Sequence, residues 1–177
     1  MIVVEGPDNS GKSTLISKLT QKLGLTLLDR PHGPPKDASE LRKRIKDLEP
    51  QYNNKKAIID RHPIIGESIY GPVLRNHNML TSIKDYEILR KTFWTSDIFI
   101  IYCRPPMDKI MNMETHQVKD YDTPEHLRAL KKNVVSIIDA YDLKMWLCQA
   151  HKYDYTKPGS LKNLLSIIRK DYLNERE

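Results

Sequence analysis

Met1-Ile2-Val3-Val4-Glu5-Gly6-Pro7-Asp8-Asn9-Ser10-Gly11-Lys12-Ser13-Thr14 opens the chain. An apolar, β-branched run leads straight into G-x-x-x-x-G-K-[ST], with Thr14-Leu15-Ile16-Ser17-Lys18-Leu19 continuing at helical spacing. A strand, a phosphate-binding loop and a helix therefore follow one another in the order that phosphate binding requires. Gly6 and Gly11 let the backbone turn sharply with its N–H groups directed inward. The segment assigns Gly6, Asn9, Ser10, Gly11, Lys12, Ser13 and Thr14 to a bound ATP. Lys12 reaches the β- and γ-phosphates, and the Ser13 hydroxyl is a ligand for Mg²⁺. The phosphates come to rest at a helix N-terminus, where free amides and the helix dipole favour negative charge.

Working outward, the rest of the chain reads as an α/β protein. Its 177 residues suit a single domain spanning 1–177, and 39% hydrophobic with 29% charged residues is a globular composition. No apolar run is long enough to cross a bilayer. The first strand begins at once, which leaves no room for a signal peptide. Cys103 and Cys148 have neither metal-ligand nor disulfide spacing, so free thiols in a reducing cytoplasm are expected, the host cytoplasm if the source is viral. The net charge of +6 suits anionic substrates. Its basic residues are scattered and lack interleaved aromatics, so no stable nucleic-acid partner is expected.

Apolar runs alternate with helical patterns, the signature of a doubly wound parallel sheet. The strands are predicted at Ile2–Glu5, Thr26–Leu28, Ala57–Asp60, Asp97–Cys103 and Lys152–Tyr155. Helices are predicted at Ser13–Leu23, at Ser39–Leu48 with Ser39 or Asp37 as cap, and from about Ile65 to Lys91 with a break near Gly71-Pro72. Three more are predicted at Met107–Met113, from Pro124 to about Gln149, and at Leu161–Tyr172. The polar stretch at about 114–124 has few core candidates and reads as a small lid. Ligands of such sheets collect at the carboxyl ends of the strands, where Gly6, Asp29-Arg30, Asp60-Arg61 and Cys103-Arg104 fall.

Ile58-Ile59-Asp60-Arg61-His62 is the second informative segment. Asp60 ends an apolar strand beside the phosphate loop, where a carboxylate holds a Mg²⁺-bound water or takes the proton of an attacking oxygen. Arg61 offers a planar guanidinium for bidentate phosphate binding and for stabilising the transferring group. Lys12, Asp60 and Arg61 are the candidate catalytic residues, and Ser13 and Asp60 the candidate metal ligands. Arg75 follows Tyr70 on the same helical segment and is within reach of an acceptor. Glu67 is suited to a sugar hydroxyl, to Arg61, or to the surface. His32 and His62 read as loop or packing residues, and Tyr153-Asp154-Tyr155-Thr156 as backbone beside the donor base.

The loop in the form Glu5-Gly6-Pro7-Asp8-Asn9-Ser10-Gly11-Lys12-Ser13-Thr14 resembles that of thymidylate kinases, which carry an acidic residue at the place of Asp8. Asp60-Arg61, followed by the ring of His62, resembles their Asp-Arg-Tyr/Phe motif. Glu67-Ser68-Ile69-Tyr70-Gly71 is similar to their serine-to-tyrosine stretch, and Asp29-Arg30-Pro31-His32-Gly33 stands where they have Arg-Glu-Pro-Gly-Gly. The element order agrees along most of the chain. The resemblance implies a three-layer P-loop NTPase fold with five parallel strands flanked by helices, and transfer of the γ-phosphoryl group of ATP–Mg²⁺ to a nucleoside 5′-monophosphate, dTMP or a related deoxynucleotide. It also implies that Asp8 meets the acceptor sugar or a magnesium-bound water, that Arg61 grips the acceptor phosphate, that Tyr70 lines or stacks on the base, and that Arg30 helps on the acceptor side. A homodimer through the long helices follows from the same resemblance.

Three departures keep a second acceptor open. The serine-to-tyrosine spacing differs from that of thymidylate kinases, and Pro7 is unusual within the loop. The lid has no arginine; Lys119 is its basic candidate, with Arg104 and Arg128 nearby. The Asp60-Arg61 pair is also similar to the Glu-Arg-Ser of deoxynucleoside kinases, which phosphorylate a nucleoside 5′-hydroxyl. A GTP switch is disfavoured, because Asn54-Lys55-Lys56-Ala57 does not fit the guanine-reading Asn-Lys-x-Asp.

Overall fold

The computed structural model describes residues 1–29, 33–82, 85, 87, 88, 97–112 and 123–174. Five strands form one sheet: β1 (Ile2–Glu5), β2 (Thr26–Leu27), β3 (Ala57–Asp60), β4 (Phe99–Cys103) and β5 (His151–Tyr153). Their order across the sheet is β2-β3-β1-β4-β5, and every neighbouring pair is parallel. The chain leaves β1 toward β2 and β3 on one side, then crosses to β4 and β5 on the other. That reversal opens a crevice at the carboxyl ends of β1, β3 and β4.

Six α-helices cover the sheet among the described residues: α1 (Lys12–Leu23), α2 (Ala38–Leu48), α3 (Pro63–Arg75), α4 (Met107–Met111), α5 (Pro124–Leu147) and α6 (Ser160–Ile167). A π-helical turn, Ile168–Tyr172, continues α6. Every residue of β1 and β4 is buried, as strands covered on both faces require. Alternate residues of β1 serve opposite cores. Met1 and Val3 pack with Ile65, Ile69, Leu130, Ile137 and Tyr141 of α3 and α5. Ile2 and Val4 pack with Leu15, Leu19, Leu164 and Ile168 beneath α1 and α6. This is the three-layer arrangement expected from the sequence.

The helix ends follow local chemistry. Asp37 is the cap of α2 and accepts from the Glu40 amide at 2.8 Å, while Glu40 accepts at 2.9 Å from the amide of Lys36, the residue before the cap. Pro63 stands at the first turn of α3, where a missing N–H costs nothing. The start of α3 is therefore two residues earlier than the apolar pattern suggests.

The break expected near Gly71-Pro72 is not there. Helix α3 runs through Pro72 to Arg75 and stops at Asn76 in a left-handed conformation. Pro72 removes one backbone bond, but the buried face of Ile65 and Ile69 against α5 holds the helix together. Gly71 is needed for space: a Cβ there would lie 2.6 Å from Glu67 Oε1. Strand β5 also ends at Tyr153, two residues before its expected end, because Asp154 turns the chain by accepting from the Thr156 amide at 3.0 Å. Most of the lid at 114–124, with Lys119, and the segment carrying Arg30 and His32 lie outside the described residues.

Candidate active site

The phosphate loop bridges β1 and α1. Gly6 has φ +146°, Asn9 +61° and Gly11 +84°, so three of its residues adopt positive φ. Two of these are glycines, whose freedom makes the turn possible. A Cβ on Gly6 would fall 2.6 Å from Ser10 Oγ and 2.7 Å from the Cys103 carbonyl. A Cβ on Gly11 would fall 2.9 Å from the ring of Tyr155. Lys12 is buried, and its Nζ donates to the Pro7 carbonyl at 2.7 Å, so the ammonium turns into the loop. Burial, then the charge of Arg61, lowers the Lys12 pKa to about 8. Ser10 Oγ is buried and makes no hydrogen bond among the described residues. A tight loop at positive φ, an inward ammonium and an orphaned hydroxyl at a helix N-terminus form a cradle suited to phosphate.

Beside the loop, β3 ends at Asp60, opposite Val4 in the sheet register. Arg61 follows with φ +66°, a conformation that side-chain-bearing residues adopt infrequently. This bend swings its guanidinium back over the loop. Arg61 Nη2 donates to Asp8 Oδ1 at 2.7 Å and to the Gly6 carbonyl at 3.2 Å. Beneath it lies the ring of Tyr70, 5.3 Å from the guanidinium carbon to the ring centroid. Tyr70 meets Tyr141 edge-on at 6.0 Å. The ring of Tyr70 thus supports Arg61, in addition to lining the cavity expected for a base.

A cavity of about 430 Å³ extends from this cluster between α2, α3 and the start of α5. Its walls carry Asp8, Arg61, Tyr70 and Arg75, four of the five residues assigned to the acceptor from sequence; the fifth, Arg30, lies outside the described residues. Arg75 pairs with Glu67, whose Oε1 also accepts from the Met79 amide at 2.7 Å. Glu67 therefore faces the cavity side of α3 and pairs with Arg75, not Arg61. Arg44 of α2, Glu125 and His126 also line the cavity, and sequence reasoning did not single them out for this site. Arg44 donates to the Gly33 carbonyl at 2.9 Å and pairs with Glu40 one turn earlier. The signal available for it was that i,i+4 pair on a helix opening after a Gly-Pro loop.

A second cavity, of about 570 Å³, lies on the opposite side of the loop, against Gly11, Thr14, Lys18, Tyr155, Lys157 and Ser160. The two cavities flank the phosphate loop, one on each side.

His62 is buried, caps α3 by accepting from the Ile64 amide at 3.2 Å, and is held far below its usual range, near 3, by burial. It is a packing residue, as expected. Arg104 donates from both Nε and Nη2 to Asp142 of α5. Arg128 is exposed and pairs with Glu125. Ser13 is exposed at the second residue of α1, and Asp60 is half-buried at the strand end. A hydroxyl and a carboxylate are the hard oxygen donors that Mg²⁺ prefers, and most of its shell commonly comes from water and substrate phosphate. No cluster of three or more His, Cys, Asp or Glu side chains that could hold a metal ion occurs among the described residues.

The sheet order, the loop and the flanking helices give this chain the fold of P-loop kinases. Solved structures with that fold cover nearly its whole length. The YorR protein of Bacillus subtilis, in complex with phosphorylated GDP, superposes with a TM-score of 0.69 at 18% identity, covering 99% of each chain. Deoxyadenosine kinase of M. mycoides with bound dATP gives 0.56 at 19% identity, over 98% of this chain and 99% of that one. Thymidylate kinase of Candida albicans gives 0.56 at 16% identity, over 96% and 91%. No protein-family model matches the sequence, and no curated protein does. No helix among the described residues is long and apolar enough to cross a membrane.

Proposed function

We propose that the chain is a nucleoside monophosphate kinase, which moves the γ-phosphoryl group of ATP to the 5′-phosphate of dTMP or a related deoxynucleotide within a single domain. One observation carries this reading: a cavity of about 430 Å³ adjoins the phosphate loop, with Arg61 and Asp8 at the junction. A kinase of this kind needs a donor cradle and an acceptor chamber that meet at one point, since phosphoryl transfer is mostly positioning and charge stabilisation.

In this reading ATP lies with its phosphates along Gly6 to Thr14 and its base toward Tyr155 and Lys18. Mg²⁺ would be held by Ser13 and, through water, by Asp60, and would supply charge neutralisation on the phosphates. Lys12 leaves the Pro7 carbonyl to meet the β- and γ-phosphates. Arg61 holds the acceptor phosphate, one oxygen of which attacks the γ-phosphorus. The bond to the β–γ bridging oxygen breaks and ADP departs with that oxygen. Tyr70 and Arg75 line the far end of the acceptor chamber.

A second reading has one observation behind it. Arg61 is already neutralised by Asp8, which suits an uncharged acceptor better than a phosphate. In a deoxynucleoside kinase Asp60 would take the proton of a nucleoside 5′-hydroxyl. Incubating the chain with ATP, Mg²⁺ and a panel of nucleosides and 5′-monophosphates decides between them. Diphosphate products support the first reading, and monophosphates formed only from nucleosides overturn it.

A further inference from the structure

Glu5 has no place in the chemistry above, yet it is the most enclosed carboxylate beside it. It is the last residue of β1, its exposure is 0%, and both carboxylate oxygens are engaged. Oε1 accepts from the backbone amide of His62 at 2.6 Å, and Oε2 accepts from the Tyr141 hydroxyl at 3.3 Å.

The position of that amide matters. The sheet ladder between β1 and β3 ends at Asp60, and the next two amides still find partners on β1. The Arg61 amide donates to the Val4 carbonyl at 3.0 Å. The His62 amide, one residue on, donates instead to a side chain. The Glu5 side chain takes over as acceptor. These two bonds bracket the left-handed Arg61, whose φ is +66°. Such a conformation costs free energy and persists only where its surroundings fix it. Without an acceptor from Glu5, a buried amide would be left unpaired and the bend would be free to relax. The guanidinium would then lose its approach to Asp8 and the Gly6 carbonyl.

We propose that Glu5, which touches no nucleotide, is the positioning residue for Arg61, acting by holding the His62 amide and so the left-handed bend that aims the guanidinium at the acceptor. Tyr141 extends the linkage to α5, the helix that follows the segment 113–122. The same carboxylate thus joins the first residue before the phosphate loop, the arginine turn and the long helix. The inference rests on the reading of Arg61 as the acceptor's ligand.

The test compares Glu5→Gln, Glu5→Asp and Glu5→Met, with KM measured separately for ATP and for the acceptor chosen by the panel. Glutamine keeps an oxygen acceptor at the same reach, so it retains the wild-type acceptor KM. Aspartate is one methylene too short for the His62 amide, and methionine has no acceptor of comparable strength. Both raise the acceptor KM about tenfold or more, the size expected for losing a buried hydrogen bond that sets geometry, and change the ATP KM less than about twofold. Should methionine fail to fold, aspartate and glutamine decide the matter. An aspartate variant with the wild-type acceptor KM, or one whose two KM values rise together, overturns the inference while leaving the kinase reading intact. A wild-type chain that phosphorylates no nucleotide or nucleoside overturns both.

Discussion

Asp8 accepts a 2.7 Å hydrogen bond from Arg61, and each side chain is 15% exposed. The pair closes the phosphate loop onto the turn after β3, and it neutralises the cation expected to receive an anion. An acceptor phosphate therefore has to compete with Asp8 for the guanidinium. Replacing Asp8 by Asn removes the competitor and the counter-charge together. Because the pair is mostly but not wholly buried, the empty protein loses about 1–2 kcal/mol of stability. Inorganic phosphate or dTMP then raises the melting temperature more in D8N than in the wild type. Thermal unfolding with and without these anions measures it, and equal shifts in both proteins contradict the competition.

Gly6 sets a steric limit on the loop. Its φ of +146° is open essentially to glycine alone, and a Cβ would press within 2.7 Å of the Cys103 carbonyl, which is backbone and cannot rotate away. Gly6→Ala is expected to displace the loop and to weaken ATP binding by at least about tenfold, the scale of a single strained residue. Calorimetric titration with an ATP analogue gives the number. Unaltered affinity would mean that the loop has room to rearrange.

How much of this was legible in the sequence depends on how local each feature is. The phosphate loop and the position of Asp60-Arg61 at a strand end were legible because each is a contiguous run, whereas the left-handed bend at Arg61 was not, since a distant side chain holds it. The five strands were legible for the same reason, with β1 and β4 reading as continuous apolar runs. The intact helix across Gly71-Pro72 was not, since proline propensity argued for a break and packing of Ile65 and Ile69 against α5 overrode it. Glu5 was hidden because its partner is 57 residues away, and the pairing of Arg104 was hidden because Asp142 is 38 residues distant. In both cases a local reading sees a charge, and only the fold supplies what satisfies it.

Lys12 is the group expected to carry the most transition-state charge. Its Nζ sits 2.7 Å from the Pro7 carbonyl, inside the loop, so it has only to pivot there to meet phosphate. Lys12→Met keeps the aliphatic stem that packs in the buried site and removes the charge. The expected result is a fall in kcat of about a hundredfold or more, the usual scale for losing one electrostatic contact to a transferring group. Urea unfolding should show no loss of stability, since a costly buried ammonium has been replaced by an apolar side chain. A variant that retains most of its kcat would show that another cation takes up the charge.

Glu5 sets a pH dependence of folding that can be measured without any substrate. Burial pushes its carboxyl from an ordinary 4.5 up to about 7, against the opposing pull of the His62 amide and the positive charge of Arg61. Below about pH 4.5 the group is protonated in both folded and unfolded chains, and contributes nothing. Between about 4.5 and 7 the folded chain keeps a proton that the unfolded chain has released. Stability therefore falls as pH rises through this window, and the loss is complete above about 7. At 1.36 kcal/mol per pH unit, its upper bound is about 3 kcal/mol. Glu5→Gln has no proton to exchange at this position and escapes that loss. Urea denaturation of both proteins at pH 4, 6 and 8 should find their stabilities closest at pH 4, with the variant gaining on the wild type at each step upward. A constant difference across the three pH values would show that the folded chain leaves this carboxyl at its ordinary 4.5, its two hydrogen bonds and the charge of Arg61 offsetting the cost of burial.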